Sequence, residues 1–484
     1  MNSLDRLSRR DFLRHACVGV GALTLPGCAT SNSHPAPGSP QPRFDVYADL
    51  GSLLSEDAFR QIAGAALDAS KAETLFISLN HKLRDITRFA DDRSLIHEHE
   101  KSRKLTFILG NPGEPLRKLT IDELTPDAAA AAVRAVERGD GRPFDAQAEH
   151  LVPDLPPQRY LVLPTYRLDT ATADDARRVT EAQSVMKEMI SLGIKYAGSI
   201  ETTRCIAAVA NRQGLFAYEP RTLAEMRLSA GNTKYMLPIA AAHRSINDLE
   251  TLETIRRWTP ALGALVPVEP LSAGTYEIIF GPEATAQLAL HLIQAGKSEK
   301  CSPAPALTIR NNPEHPALLG CGFQRDGSAT DALPFVQNGV FTQNCEQNQN
   351  DAVGTTQSRE AASLALSIDA ANPSASNLTE LLQSVERGLF VAHIPKPNHQ
   401  SAESLWNEDM KSVNFVIVDG QFYGVANESC ICVRPEDLSY CRVCTPPMPA
   451  TISPFTAAES TDSRALIKSL APALIAGNYM ISIA

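Results

Sequence analysis

Apolar positions recur first at helical spacing from Glu56 to Ser70, with Ser55 placed to cap the helix through its hydroxyl oxygen. Short alternating segments follow at residues 74–79, 85–89, 94–100 and 105–109, and their turn-rich boundaries predict an antiparallel sheet. A second helix is expected over 127–138 behind the Thr125-Pro126 step, and a third over 175–192, after a proline-rich excursion at 153–157. Residues 198–201 and 203–211 read as the two arms of a hairpin.

From Gly274 the pattern changes. Tyr276 to Phe280 has the composition of a buried strand, Pro282 opens a helix in its first turn, and apolar spacing continues to Ile293. Beyond that helix strands dominate. Asn338-Gly339 and Asp419-Gly420, each between alternating apolar residues, predict type I′ hairpins over 333–343 and 413–425. Residues 347–357 are polar and read as a loop, and a helix over 378–386 is expected to end at Gly388. There is no internal repeat. The fold class is α+β, with an N-terminal domain over 44–235 that layers helices on an antiparallel sheet and a mostly-β, barrel-like C-terminal domain over 236–484.

Residues 1–28 carry a different signal. Ser8-Arg9-Arg10-Asp11-Phe12-Leu13 matches a twin-arginine export motif, a short apolar run extends from Ala16 to Leu25, and Leu25-Pro26-Gly27-Cys28 reads as a lipoprotein cleavage box. The run is too short to span a bilayer. The expectation is export by the twin-arginine route, lipid on Cys28, attachment to a membrane surface, and a periplasmic or cell-envelope location. Residues 29–43, rich in Ser, Pro and Gly, read as a flexible tether. The chain's net charge is −10, and residues 1–27 hold four Arg against two Asp, so their removal leaves −12. That acidic balance argues against nucleic acid as a partner. The 43% apolar and 21% charged content is that of an ordinary globular protein.

Eight cysteines remain once Cys17 and Cys28 are set aside, four scattered and four clustered as Cys430-x-Cys432 and Cys441-x-x-Cys444. Close thiolate pairs on a loop can offer tetrahedral ligands to a soft metal. In an oxidising compartment, disulfides or unlinked thiols are the blander account, and the Cys-x-Cys half departs from the usual zinc knuckle.

Several segments, in order and spacing, resemble the TldD/PmbA family of zinc metallopeptidases and their metal-free partner subunits. These are Ile86-Thr87-Arg88-Phe89-Ala90, Ala208-Val209-Ala210-Asn211 with Gly214, and Gly274-Thr275-Tyr276-Glu277-Ile278-Ile279 with Pro282-Glu283. Phe323-Gln324-Arg325-Asp326-Gly327 and Val336-Gln337-Asn338-Gly339-Val340 complete the set. The resemblance implies that active members place His-Glu-x-x-x-His on the helix after that proline, with a cysteine near the C-terminus as third zinc ligand. Here the helix carries His291 at the first ligand position, Leu292 in place of the general base and Gly296 in place of the second histidine. One imidazole without a neighbouring carboxylate neither holds zinc firmly nor activates its water.

By this resemblance the chain is a PmbA-like, catalytically degenerate subunit. It would form a chamber for peptides or unfolded protein with a TldD-type zinc peptidase, or pair with itself as a homodimer, and need no cofactor. The alternatives are a metallopeptidase with relocated zinc ligands, drawn from Cys430, Cys432, Cys441, Cys444 and His291, or a non-catalytic peptide-binding lipoprotein.

Three further features weigh less. His97-Glu98-His99-Glu100 puts two histidines on one face of a strand, but its charged surroundings favour an exposed polar strand. His393 and His399 flank two prolines and read as solvated. Gly296-Lys297-Ser298 closes a helix instead of opening one, so it is no phosphate loop.

Overall fold

The computed structural model describes residues 52–145, 153–268, 274–295, 307–342, 365–370, 373, 375–394, 414–426, 441–443, 445–452 and 467–481. Arg9, Arg10, Cys28, the tether, the 347–357 loop, Cys430, Cys432 and Cys444 lie outside them. Helix α1 (Glu56–Ala69) begins at the expected cap, where the Ser55 hydroxyl accepts from the Ala58 N–H at 3.3 Å. Helix α2 (Pro126–Glu137) begins the same way, with Thr125 accepting from the Ala128 N–H at 3.2 Å. Both bury their apolar stripes against β1 (Thr74–Ala90) and β2 (Leu95–Gly110), forming one core with Phe59, Val133, Leu75 and Phe107.

These strands belong to a seven-stranded antiparallel sheet ordered β4-β3-β2-β1-β5-β6-β7. Its other members are β3 (Arg117–Ile121), β4 (Arg142–Pro143), β5 (Lys195–Asn211), β6 (Phe216–Gly231) and β7 (Met236–His243). The four short segments expected between 74 and 109 are two long strands of 17 and 16 residues, paired without interruption from Thr74↔Gly110 to Phe89↔Leu95. Polar residues near Arg84 look like a turn in sequence, but cross-strand carboxylates answer them inside the sheet. The expected hairpin at 198–211 is likewise one strand, β5, and its hairpin partner is β6. Gly198 marks close approach here, because a Cβ would stand 2.5 Å from the Arg227 carbonyl oxygen and 2.8 Å from the Phe89 ring.

Short α3 (Leu168–Ala171) precedes α4 (Asp175–Ser191), which lies on β1 and β5 and reproduces the expected long helix to within a residue. Its N-cap, Asp174, accepts from the Arg177 N–H at 2.8 Å. Helix α5 (Thr251–Gly263) then packs beside α4 and β7 and buries Ile255, Trp258 and Leu262.

The remaining strands form two six-stranded sheets, and no closed barrel is found among the described residues, which corrects the barrel-like expectation. One is ordered β11-β10-β9-β12-β18-β17, from β9 (Leu307–Asn311), β10 (Pro334–Gln337), β11 (Val340–Phe341), β12 (Leu366–Ala370), β17 (Met448–Ile452) and β18 (Ile467–Ala471). The other is ordered β15-β14-β13-β8-β19-β16, from β8 (Gly274–Phe280), β13 (Arg387–Val391), β14 (Asn414–Val418), β15 (Gln421–Val425), β16 (Cys441–Val443) and β19 (Leu474–Ile481). Each sheet contains one parallel pair, β12 with β18 and β13 with β8, so neither closes as a simple meander. Both Asn-Gly and Asp-Gly hairpins form, with φ of 49° and 76° at Asn338 and Gly339 and 49° and 77° at Asp419 and Gly420.

Helix α7 (Leu378–Gln383) is shorter than expected. Gly388 does not cap it; it lies within β13, pressed against the Glu277 carbonyl of the parallel neighbour β8. The third sheet joins the two halves: Ile279, Phe390, Phe415 and Ile475 share a core with α4, α5 and β6 of the first sheet. A second bridge is Phe323, which packs with Phe76, Val209 and Leu215, while the Tyr160 hydroxyl donates to the Gly327 carbonyl at 2.7 Å.

Candidate functional site

Helix α6 (Pro282–Ala295) carries the position where the resembled family would bind zinc. Its sequence is apolar almost all round, as a helix buried on every side requires. It packs on β17, β18, β12 and β8, and Ala284, Ala286, Leu288, Ala289, Leu290 and Ile293 join the core shared by both six-stranded sheets. Three polar side chains in its first two turns are therefore buried and need partners. Thr285 donates to the Phe280 carbonyl at 3.5 Å. Gln287 accepts from the Ile394 N–H at 2.7 Å, and its amide nitrogen stands 3.0 Å from His393 Nδ1. Burial holds His393 down to about 4, so its ring is neutral near pH 7 and Nδ1 is the acceptor. His393 is thus a partly buried, hydrogen-bonded residue, not the solvated one expected, because β13 carries it onto α6; His399 lies outside the described residues.

Glu283 is the third. It is 8% exposed, its Oε1 stands 3.7 Å from Arg257 of α5, and its Oε2 has no hydrogen-bond partner. Burial raises its pKa, with the Arg257 charge opposing. It lines a small, partly enclosed polar pocket, whose interior of about 10 Å³ leaves room for about one water, between α5, α6, the outer edge of β7, and β17 and β18. Glu250, Thr254, Arg257, Thr451 and Lys468 complete the polar lining. Lys468 is buried, and desolvation lowers its pKa. Arg257 donates to the Pro449 carbonyl at 2.6 Å, which ties α5 to β17. Sequence reading missed this pocket, since its residues come from five elements up to 228 positions apart; the one local hint is a lysine inside the apolar strand Ile467–Ala471.

The sequence candidates for a metal are not brought together among the described residues. His291 lies in the last half of α6, Cys441 lies in β16 at the edge of the third sheet, and Cys430, Cys432 and Cys444 fall outside. No three His, Cys, Asp or Glu residues among those described stand close enough to hold an ion.

His97 to Glu100 form the exposed polar strand that its charge pattern predicts, each side chain answered across β1. His97 Nδ1 is 3.1 Å from Thr87 Oγ1, His99 Nδ1 is 2.7 Å from Asp85, Glu98 is 2.8 Å from Arg88, and Glu100 is 2.8 Å from Arg84. The last pair opens a line of alternating charge running into the sheet. Arg84 also reaches Glu201 at 2.5 Å, Arg227 stands 3.8 Å from Glu201, and Arg227 binds Glu225 at 2.7 Å. Burial alone would raise Glu201, but Arg227 and Arg84 hold it down to about 2; Glu225 is raised by its burial. This line has no counterpart in any short motif, because its members lie on four different strands.

Neither the family models nor the curated proteins contain a match to this sequence. Solved structures do share its fold. TldE from Thermococcus kodakarensis superposes with a TM-score of 0.62 at 16% identity, covering 88% of this chain and 100% of TldE. A candidate modulator of DNA gyrase from Thermotoga maritima gives 0.63 at 14% identity, over 88% of this chain and 99% of that one. A second such protein, from Bacteroides thetaiotaomicron, gives 0.57 at 13% identity, again over 88% of this chain and 100% of that one. The chain therefore carries the fold of TldE and these modulator-like proteins, the fold that its resemblance to the TldD/PmbA family implies.

Proposed function

We propose that this protein is a non-catalytic TldD/PmbA-type subunit that forms the wall of a peptide-processing chamber and leaves hydrolysis to a TldD-type zinc peptidase. The observation that carries the reading is the composition of α6. The helix lies buried between two sheets of the TldE-like fold, yet carries Leu292 where a carboxylate would activate water, and the sequence has Gly296, outside the described residues, where a second imidazole would bind. That donor set does not fit a zinc hydrolase, which needs three protein ligands and a base. The substrate would be a peptide or unfolded segment. Export through Arg9 and Arg10, lipid on Cys28 and a cell-envelope location belong to the same proposal.

Co-purification tests it. The tagged full-length chain, recovered from its native membrane fraction, should bring down a protein with His-Glu-x-x-x-His, and peptidase activity should need that partner alone for zinc. A stable homodimer with no such partner would overturn the subunit reading. Stoichiometric zinc in the isolated chain, lost on mutating Cys441 and Cys444, would instead establish relocated ligands. Replacing Arg9 and Arg10 by lysine should leave the chain unprocessed in the cytoplasm.

A further inference from the structure

The first sheet keeps one open edge. β3 pairs with β2 only from Leu105 to Leu109, because the chain leaves the sheet after Ile121 to start α2 behind Thr125. On that side the 95–104 stretch of β2 has no neighbouring strand among the described residues, although on the other side it pairs with β1 as far as Leu95. Every residue from Ile96 to Lys104 is exposed or half-buried. In an antiparallel ladder alternate residues turn both N–H and C=O outward, so this edge offers a row of donors and acceptors over roughly 30 Å.

Side chains along the edge sort by charge. Glu98 and Glu100 are engaged across β1 by Arg88 and Arg84, and His99 by Asp85. Lys101, Arg103 and Lys104 then follow, with Lys82 of β1 paired to Ser102 between them. Strand alternation puts Lys82 and Lys104 on one face and Lys101 and Arg103 on the other. Burial and then the Lys82 charge lower the Lys104 pKa, and burial and then Lys101 and Arg103 hold His81 down, so like charges crowd this end of the edge. Lysine and arginine on an edge keep apolar strands of other molecules away, and the same Coulomb force draws in a strand that carries carboxylates.

We propose that the open edge of β2 takes up an extended acidic segment of another protein by β-strand addition. The segment continues the line of β3, antiparallel to β2, and its carboxylates meet Lys82 and Lys104 on one face and Lys101 and Arg103 on the other. The site stands apart from the subunit proposal and survives its failure, since it lies on the first sheet and uses none of α6.

The probe is a fluorescent peptide, Thr-Glu-Asp-Glu-Asp-Val-Thr-Val, whose anisotropy is followed as the full chain is added. It should bind saturably, and at least about tenfold more tightly than the same peptide with lysine at each acidic position. N-methylating every second amide, in either phase, keeps the charge; the phase that faces β2 should weaken binding by at least about tenfold, because ladder hydrogen bonds are lost. Hydrogen exchange should slow within 96–104 when the peptide is bound. Lys101→Glu combined with Arg103→Glu, both at exposed positions, should weaken binding by at least about tenfold while the circular dichroism spectrum is kept. Should that variant not fold, the peptide series and the exchange measurement on the unaltered chain decide. Absence of saturable binding, equally tight binding of the lysine peptide or of both N-methylated peptides, or slowed exchange only outside 96–104 would overturn the proposal.

Discussion

Replacing Glu201 by glutamine should destabilise the first sheet far more than the same change at Glu225. Glu201 is 2% exposed and lies between two guanidinium groups, Arg84 at 2.5 Å and Arg227 at 3.8 Å, while Ser199 donates to its other oxygen at 2.6 Å. The amide keeps the shape and removes the charge, leaving two buried cations with only Glu100 and Glu225 at the ends of the line. Two routes give the cost. Holding the carboxyl at about 2 against an ordinary 4.5 corresponds to about 3 kcal/mol. Removing one partner from a buried charge network costs about 3–5 kcal/mol.

With a urea dependence of about 3 kcal/mol per molar, the unfolding midpoint should fall by about 1 M at pH 7. Urea titration followed by far-ultraviolet circular dichroism measures it. The pH dependence has a definite sign. A carboxyl depressed in the folded state stabilises fully above its unfolded pKa, here 4.5, and that stability fades as pH falls toward 2. The gap between parent and variant should therefore stay constant down to about pH 5 and shrink below it. Glu225→Gln should cost less than Glu201→Gln, because burial raises the Glu225 carboxyl and it faces one guanidinium, Arg227, where Glu201 lies between two. A midpoint for Glu201→Gln within about 0.3 M of the parent, or equal losses at the two positions, would refute the reasoning.

Other expectations follow from single contacts. Phe323→Ala empties a site shared with Phe76, Val209 and Leu215 and should cost about 3–5 kcal/mol, with faster proteolysis of the 321–330 segment as its local signature. Gly420→Ala meets both a φ of 77° and a Cβ position 2.7 Å from the Gln383 Cα, so calorimetry should show a loss of about 1–3 kcal/mol. His81 is held down to about 4, chiefly by burial and then by Lys101 and Arg103, while its unfolded form titrates near 6.5. Its stabilising share is complete above pH 6.5 and disappears as pH falls toward 4; His81→Asn, which keeps an acceptor for the Leu54 N–H, should flatten denaturation curves across that window. Burial raises the thiols of Cys205 and Cys321, the latter to about 12, so both should resist iodoacetamide at pH 8 in the folded chain and react on unfolding.

Most helices were legible because their starts are written locally. Ser55, Thr125 and the Pro282 step each satisfy or forgo backbone donors within a few residues, and the helices begin there. The two I′ turns were legible for the same reason: positive φ at consecutive positions admits few residue pairs. Strand length was not. The polar stretch around Arg84 has the composition of a turn, and only Glu100 and Glu201, supplied by neighbouring strands, make it the middle of a 17-residue strand.

The sequence by itself marked most of the helices and both I′ turns, though not α3 or α5, and its ordered segments pointed to the TldD/PmbA fold. It also determined that α6 lacks the carboxylate and second imidazole of a zinc peptidase, since residue identity at fixed helical spacing is local information. Only the tertiary structure decided that α6 is enclosed by two sheets, that His393 is neutral against Gln287, and that Glu283, Arg257 and Lys468 share one pocket. The reason is physical: burial and charge pairing are set by neighbours in space, and those neighbours come from strands and helices up to about two hundred residues away.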